Sequence, residues 1–362
     1  MVRLHEFKGV RWLFLLVFAG LGLMLLREAW VSTSMAAEVP PGMVDTSRYK
    51  KPPPWTVARA GLGDLNAWMV MFSAHYEYGI KEKYKNLFKD YFVTAANFNP
   101  MKQISDVESL LARKIDLLFI DPATEGALVG VVEKAMDMGI PVVLGSTRVQ
   151  TDKFVTWVTR NNEQAGVLYA RWMVKKLKGK GNVIVLMGFA GSSYAEDVLR
   201  GVRKVLRANK EIKEVGLCNC NWSPVKAKKA VEAFLQRTPR IDGIISDGGQ
   251  MALGALEAFL DAGKPMPPVT ADEWNGWLGA AKKHKVDFLA VSAGQPMSLY
   301  AVDLAVKIFR GEPVPKVVEY PIVTFGKEDI DKYYRADLSD QYWGIHLLPP
   351  DWIQKLYGKR KP

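Results

Sequence analysis

From Trp55 onward the chain alternates short apolar runs with stretches of helical spacing. Residues 56–60 and 91–95 read as strands, and 115–120 and 139–144 as buried strands. Between and after them, residues 68–85, 99–113 and 124–138 read as helices. In the second of these, Ile104, Val107, Leu110 and Leu111 recur with the period of one helix face. Past residues 158–163 the same pattern starts again. Helices are predicted over 163–177, 194–208, 224–237 and 251–262, and strands over 181–187, 215–220, 242–246 and 268–271. Near-continuous apolar strands that alternate with helices belong to parallel sheets covered on both faces. The chain therefore reads as α/β, with two doubly wound units of similar size. In such sheets ligands bind beyond the carboxyl ends of the strands, so the residues that follow each strand are the site candidates.

The first forty residues bear on compartment. Arg3, Lys8 and Arg11 precede fifteen unbroken apolar residues, and a small-residue stretch ends at Ala36-Ala37. A basic start, a short apolar core and a small-residue site describe a secretory signal over residues 1–37. As a helix that core would rise about 22 Å, short of the roughly 30 Å of a bilayer interior. Cleavage is expected before Ala37 or Glu38, with an uncleaved anchor as the alternative. The Pro-rich residues 38–54 read as a linker. An exported, periplasmic protein follows.

Half of the 362 residues are hydrophobic (49%), which excludes intrinsic disorder. Losing residues 1–37 removes four basic and two acidic residues, and the net charge falls from +11 to +9. Lys81 and Lys83, Lys175 and Lys176, and Lys226, Lys228 and Lys229 lie on helix faces without interleaved aromatics. They read as solvated faces, and no nucleic-acid partner is expected. The two cysteines, Cys218 and Cys220, would share one strand face. They read as structural thiols or part of a pocket wall, because a bridge across a single residue is a strained one. No dinucleotide, P-loop, nucleophile-elbow or zincin motif is present, so neither an enzyme nor a cofactor nor a metal is expected. The loop 188–193 reads as a strand-to-helix turn capped by Ser192 or Ser193, or as an anion cradle.

Five segments, in order and at matching spacing, carry a resemblance. They are Asp121-Pro-Ala-Thr-Glu125, Gly139-Ile-Pro-Val-Val143, Asn161-Asn162-Glu-Gln-Ala-Gly166, Met251-Ala-Leu-Gly-Ala-Leu256 and Ala293-Gly-Gln295-Pro296. Together they resemble the ribose-binding group of periplasmic sugar-binding proteins of ABC importers, from Trp55 to Pro315. The resemblance implies a type I binding-protein fold: two parallel-sheet lobes joined by a three-crossover hinge. Residues 55–160 with 295–320 would form one lobe, and 161–294 with 321–362 the other lobe and a tail. It further implies a monomer that closes on a sugar, polyol or sugar acid and presents it to an ABC importer permease.

Transferred residue by residue, the resemblance gives a pocket. Asn66 would bind a hydroxyl and Trp68 would stack on the sugar, with Trp222 opposite it. Asp121, Asp247 and Asp272 would accept hydroxyl hydrogen bonds, with Gln295 at the last crossover. Arg148 and Arg160, which stand where the family pattern is departed from, would also hydrogen-bond the solute and would allow a sugar acid as well as a neutral polyol. Gly248 replaces the family's hydroxyl-binding Asn, so Asp247 or Gln250 would compensate. Each residue has a plainer reading: Trp68 and Trp222 as core, Asp121 and Asp272 as helix caps, and the arginines as hinge surface. Three rival functions share the lobes. A periplasmic sensor would present its closed form to a membrane receptor or kinase. A repressor of the lactose-repressor type would need an N-terminal helix-turn-helix, which residues 1–54 do not offer. An enzyme would need a nucleophile–base pair, and no His follows a strand.

Overall fold

The computed structural model describes residues 40–359, and the leader expected over residues 1–37 lies outside them. The described chain enters through β1 (Met43–Val44). It then runs β2 (Trp55–Gly61), α1 (Ala67–Tyr78), β3 (Phe88–Ala95), α2 (Pro100–Leu111), β4 (Leu117–Ile120), α3 (Val129–Asp137), β5 (Val142–Gly145) and β6 (Thr156–Thr159). It crosses to a second lobe built from α4 (Asn162–Lys176), β7 (Gly181–Met187), α5 (Ser193–Ala208), β8 (Ile212–Asn219), α6 (Pro224–Arg237), β9 (Gly243–Ser246), α7 (Gly249–Asp261), β10 (Val269–Ala271), α8 (Asn275–Lys283) and β11 (Phe288–Val291). It returns through α9 (Met297–Arg310), β12 (Val314–Pro315) and β13 (Val317–Glu319). A third crossing leads to β14 (Thr324–Gly326), α10 (Ile330–Tyr333) and α11 (Pro350–Tyr357).

Each lobe holds a six-stranded sheet, of order β13-β6-β5-β4-β2-β3 in the first and β14-β11-β10-β9-β7-β8 in the second. All neighbours are parallel except β14, which runs against β11. Strand alternation sorts the core. In the second lobe Val183, Val185 and Met187 pack on α4 and α5, whereas Ile184 and Leu186 pack on α6 and α7. In the first, Val57 and Phe119 face α1 and α9, and Ala58, Leu118 and Ile120 face α2 and α3. This two-sided burial is what the unbroken apolar strands require.

Three expectations are corrected. Residues 40–54, read as a linker, are folded onto the first lobe. There β1 pairs with β12, Thr46 Oγ1 donates to the Glu312 carbonyl at 2.6 Å, and Tyr49 is buried. The strand β6 falls where only a join between units was expected. Cys218 and Cys220, read as thiols, form a disulfide, and their Cα atoms are 5.3 Å apart, within bridging reach.

The three crossovers run side by side. Tyr320 N donates to the Thr159 carbonyl (2.7 Å), Ser292 N to the Val323 carbonyl (2.8 Å), and Val323 N to Ser292 Oγ (2.9 Å). The last forty residues add a strap over both lobes. Tyr342, Trp343, Leu348, Ile353 and Tyr357 join the core of the second lobe, and Leu347 N donates to Nε2 of His75 in α1. Among the described residues no helix is long and apolar enough to cross a membrane.

Candidate functional site

A cleft with about 730 Å³ of non-protein space, part of it open to solvent, lies between the lobes, at the carboxyl ends of both sheets. Five of the nine residues expected there line it: Asn66, Trp68, Trp222, Asp247 and Asp272. Asn66 caps α1, its Oδ1 accepting from Met69 N at 3.0 Å, which leaves the amide nitrogen free to donate. Two residues on, Trp68 is backed by Phe72 of the next turn, stacked at 4.6 Å, and its Nε1 donates to the Ala293 carbonyl of the second crossover (3.0 Å). A first-lobe indole is thereby tied to the hinge.

From the second lobe, Trp222 donates through Nε1 to Asp247 Oδ1 (3.1 Å), and the other oxygen of Asp247 accepts from Gly188 N (3.2 Å). Gly188 is required by this arrangement: a Cβ there would lie 2.1 Å from the indole ring, and one at Gly248 would lie 3.1 Å from it. The glycine that replaces the family's Asn thus makes room for Trp222. Asp272 accepts from Trp274 N at 3.1 Å. It does not cap the next helix, where Trp274 holds the N-cap position.

The other four expected residues stand outside the lining. Asp121 is buried behind the cleft and bonds Arg59 Nε at 2.8 Å, while its neighbours Pro122 and Ala123 reach the cleft. The signal missed was Arg59, a cation in the middle of an apolar strand, which needs a buried partner. Arg148 bridges the rim, pairing with Glu125 of its own lobe (2.9 Å) and Asp197 of α5 in the other (2.7 Å). Arg160 is wholly engaged by the hinge. Its Nε donates to Asn162 Oδ1 (3.1 Å), Nη2 to the Tyr194 hydroxyl (2.9 Å) and Nη1 to the Ser292 carbonyl. Gln295 is fully buried at the second crossover, away from the lining. The two arginines that would have admitted a sugar acid therefore face protein groups, and among the described residues no Lys, Arg or His lines the cleft.

Several lining residues were not singled out beforehand: Phe98, Tyr194 and Trp343 among the aromatics, and Ser146 and Thr147 among the hydroxyls. Phe98 was legible. Asn97-Phe98-Asn99-Pro100 repeats as Asn221-Trp222-Ser223-Pro224, and in both copies the Asn and the aromatic residue have positive φ. Phe98 is the first lobe's counterpart of Trp222, and it stacks on Phe189 of the second lobe at 4.5 Å, across the cleft mouth. Trp343 comes from the strap, whose pattern gave no sign of it.

The cleft wall is mostly apolar and its charge is acidic. Burial pushes Asp247 up to about 7 and Asp272 to about 6, while behind them burial and the Asp272 charge raise Glu273 to about 8. Such a wall suits the C–H faces of a ring and the hydroxyls around it. Ser192 caps α5, so the loop 188–193 is a capped turn as in the plainer reading.

Comparisons with known proteins place this geometry. The pattern of the periplasmic binding protein domain family matches residues 66–313. The ribose import binding protein of Bacillus subtilis is 27% identical over 67% of this chain and 79% of its own. A xylitol-binding protein of Mycolicibacterium smegmatis is 28% identical over 66% and 68%. Among solved structures, an ABC transporter solute-binding protein from Thermobispora bispora aligns with a TM-score of 0.72 at 28% identity, covering 79% of this chain and 89% of that one. With the match spanning most of both lobes and the first two crossovers, the chain belongs to the periplasmic binding protein family, in its two-lobed type I form.

Proposed function

We propose that this protein is an exported, monomeric solute-binding protein that captures one uncharged sugar or polyol between its lobes and delivers it to an ABC importer permease. The observation that carries the reading is the lining of the cleft. Trp68 and Phe98 from one lobe and Trp222 and Tyr194 from the other surround a space whose only carboxyl, amino, guanidinium or imidazole groups among the described residues are the carboxyls of Asp247 and Asp272. Carboxylates accept hydroxyl hydrogen bonds, and aromatic faces take the apolar side of a sugar ring. Among the described residues an anionic solute would meet two buried acids and no cation in the lining. The relatives named for ribose and xylitol point to the same class of solute. Closure is the step the permease reads, and ligand binding selects the closed state because only that state offers both walls at once.

A thermal-shift screen tests this. The mature protein is heated with pentoses, hexoses, polyols, cyclitols and sugar acids. A neutral sugar or polyol at about 100 times its Kd adds about 2.7 kcal/mol of stability, and sugar acids add none. A folded protein that responds to no neutral solute, or only to sugar acids, overturns the reading.

A further inference from the structure

The repeated turn supplies an internal control for the disulfide. In the first lobe Asn97 and Phe98 have φ of 51° and 58°; in the second, Asn221 and Trp222 have 56° and 53°. The flanking bonds match as well. Ala96 N donates to the Gly61 carbonyl (3.0 Å) and Asn99 N to the Ala96 carbonyl (2.9 Å). Cys220 N donates to the Met187 carbonyl (2.8 Å) and Ser223 N to the Cys220 carbonyl (3.0 Å). Both turns end on a side-chain cap, Asn99 to Lys102 N and Ser223 to Lys226 N. At the positions of Cys218 and Cys220 the first lobe has Thr94 and Ala96. The same backbone therefore forms without a disulfide, and the bond in the second copy is not a requirement of the turn.

What differs between the copies is what each aromatic rests on. Phe98 is stacked on Phe189. Among the described residues Trp222 has no such stacked partner. It meets Phe189 at a tilt (5.6 Å) and Tyr194 edge-on (5.7 Å), and a single side-chain hydrogen bond, to Asp247, orients its indole. The chain that carries it leaves β8, an edge strand, at Asn219, between the two bridged cysteines. Left-handed residues other than Gly cost free energy and are held only by their surroundings.

We propose that the Cys218–Cys220 disulfide is a positioning element of the ligand site, stiffening the segment that presents Trp222 to the cleft so that the wall is formed before the solute arrives. The proposal rests on the cleft being the solute site. Its effect is preorganisation: without the bond, the 220–223 segment must be ordered on binding, which weakens affinity without removing any ligand contact.

The test converts the second copy into the first with Cys218→Thr and Cys220→Ala together, residues that the equivalent turn already tolerates. Hydrogen exchange is read over residues 218–226, with 94–102 as reference, and the protein is titrated with D-ribose, xylitol and myo-inositol. The expected result is faster exchange in 218–226 alone, an unchanged global denaturation midpoint, and about tenfold weaker binding of whichever probe binds, mostly through faster dissociation. In a Trp222→Ala background the cysteine substitutions should leave affinity unaltered. Equal exchange with and without the bond overturns the proposal, as does unchanged affinity or a loss that persists without Trp222. Binding of no probe, with the exchange difference present, counts against the proposed function and leaves the stiffening role standing.

Discussion

Each side chain at the cleft is fixed by a demand from its neighbours. Trp222 is held by Asp247 and by the space that Gly188 and Gly248 leave open. Truncating it removes an aromatic wall and frees a buried carboxylate. Trp222→Ala is expected to weaken solute binding by about 2 kcal/mol, about thirtyfold, in calorimetric titration. The buried acids give a pH dependence of known sign. Asp247 and Glu273, raised to about 7 and 8, hold protons in the folded state that the unfolded chain has released. Their contribution to stability is complete below the ordinary carboxylate range and is lost as pH rises through 7 and 8. His75 works the other way. Burial lowers it to about 3, so its penalty arises only below about pH 6.5, where an unfolded imidazole takes up a proton. Above pH 6.5, where His75 no longer contributes, the unliganded protein should lose at most about 1.4 kcal/mol per pH unit for each of these carboxyls still protonated in the fold, the loss ending near pH 8. Glu273→Gln should flatten the upper half of that fall in denaturant titrations at a series of pH values. At this scale the sequence was partly legible. Asp247 and Asp272, which directly follow β9 and β10, line the cleft, and Phe98 was available from the repeated Asn-aromatic turn. Asp121 and the arginines were misplaced, because their partners (Arg59, Asp197, Ser292) come from other elements that a one-dimensional pattern does not bring together.

At the scale of elements, the hinge and the rim decide how the lobes meet. Arg160 gathers the first crossover, the second crossover and Tyr194 around one guanidinium. Arg148 joins the loop after β5 to α5, and Arg200 shares the same Asp197 at 2.6 Å. The rim pair is about one-third exposed on the arginine side, so its contribution is modest. Arg148→Ala is expected to weaken capture by about 1 kcal/mol, near fivefold, and to reduce the dependence of dissociation rate on ionic strength, read by stopped flow. Most elements agree with the apolar pattern, the 181–187 strand and the 224–237 helix to the residue. The helix expected from Thr124 starts only at Val129. The chain over 124–128 is a turn, and Leu128, at the N-cap, makes no side-chain cap.

Over the whole molecule, the strap changes the energetics most. Trp343 is buried in the core of the second lobe, lines the cleft and pairs with Trp274, while Tyr357 reaches Met71 of α1. Trp343→Ala should cost about 3–5 kcal/mol in denaturant unfolding and weaken solute binding as well. A packing role alone would move only the first quantity. The segment outside the matched family region thus contributes both to the core and to the site.

The local signals in the chain were enough to reach two doubly wound lobes, because burial on both faces of a parallel sheet leaves an unbroken apolar strand that no other arrangement produces so cheaply. The same signals placed candidates after the strands, where the topology opens the cleft. They could not assign partners. Whether an arginine points at a solute or at a carbonyl, whether two cysteines close a bond, and whether a Pro-rich entry packs on a lobe all depend on distances between residues far apart in the chain. Those distances are set by how helices pack on the sheets and by how the crossovers bring the lobes together, and only the folded molecule contains them.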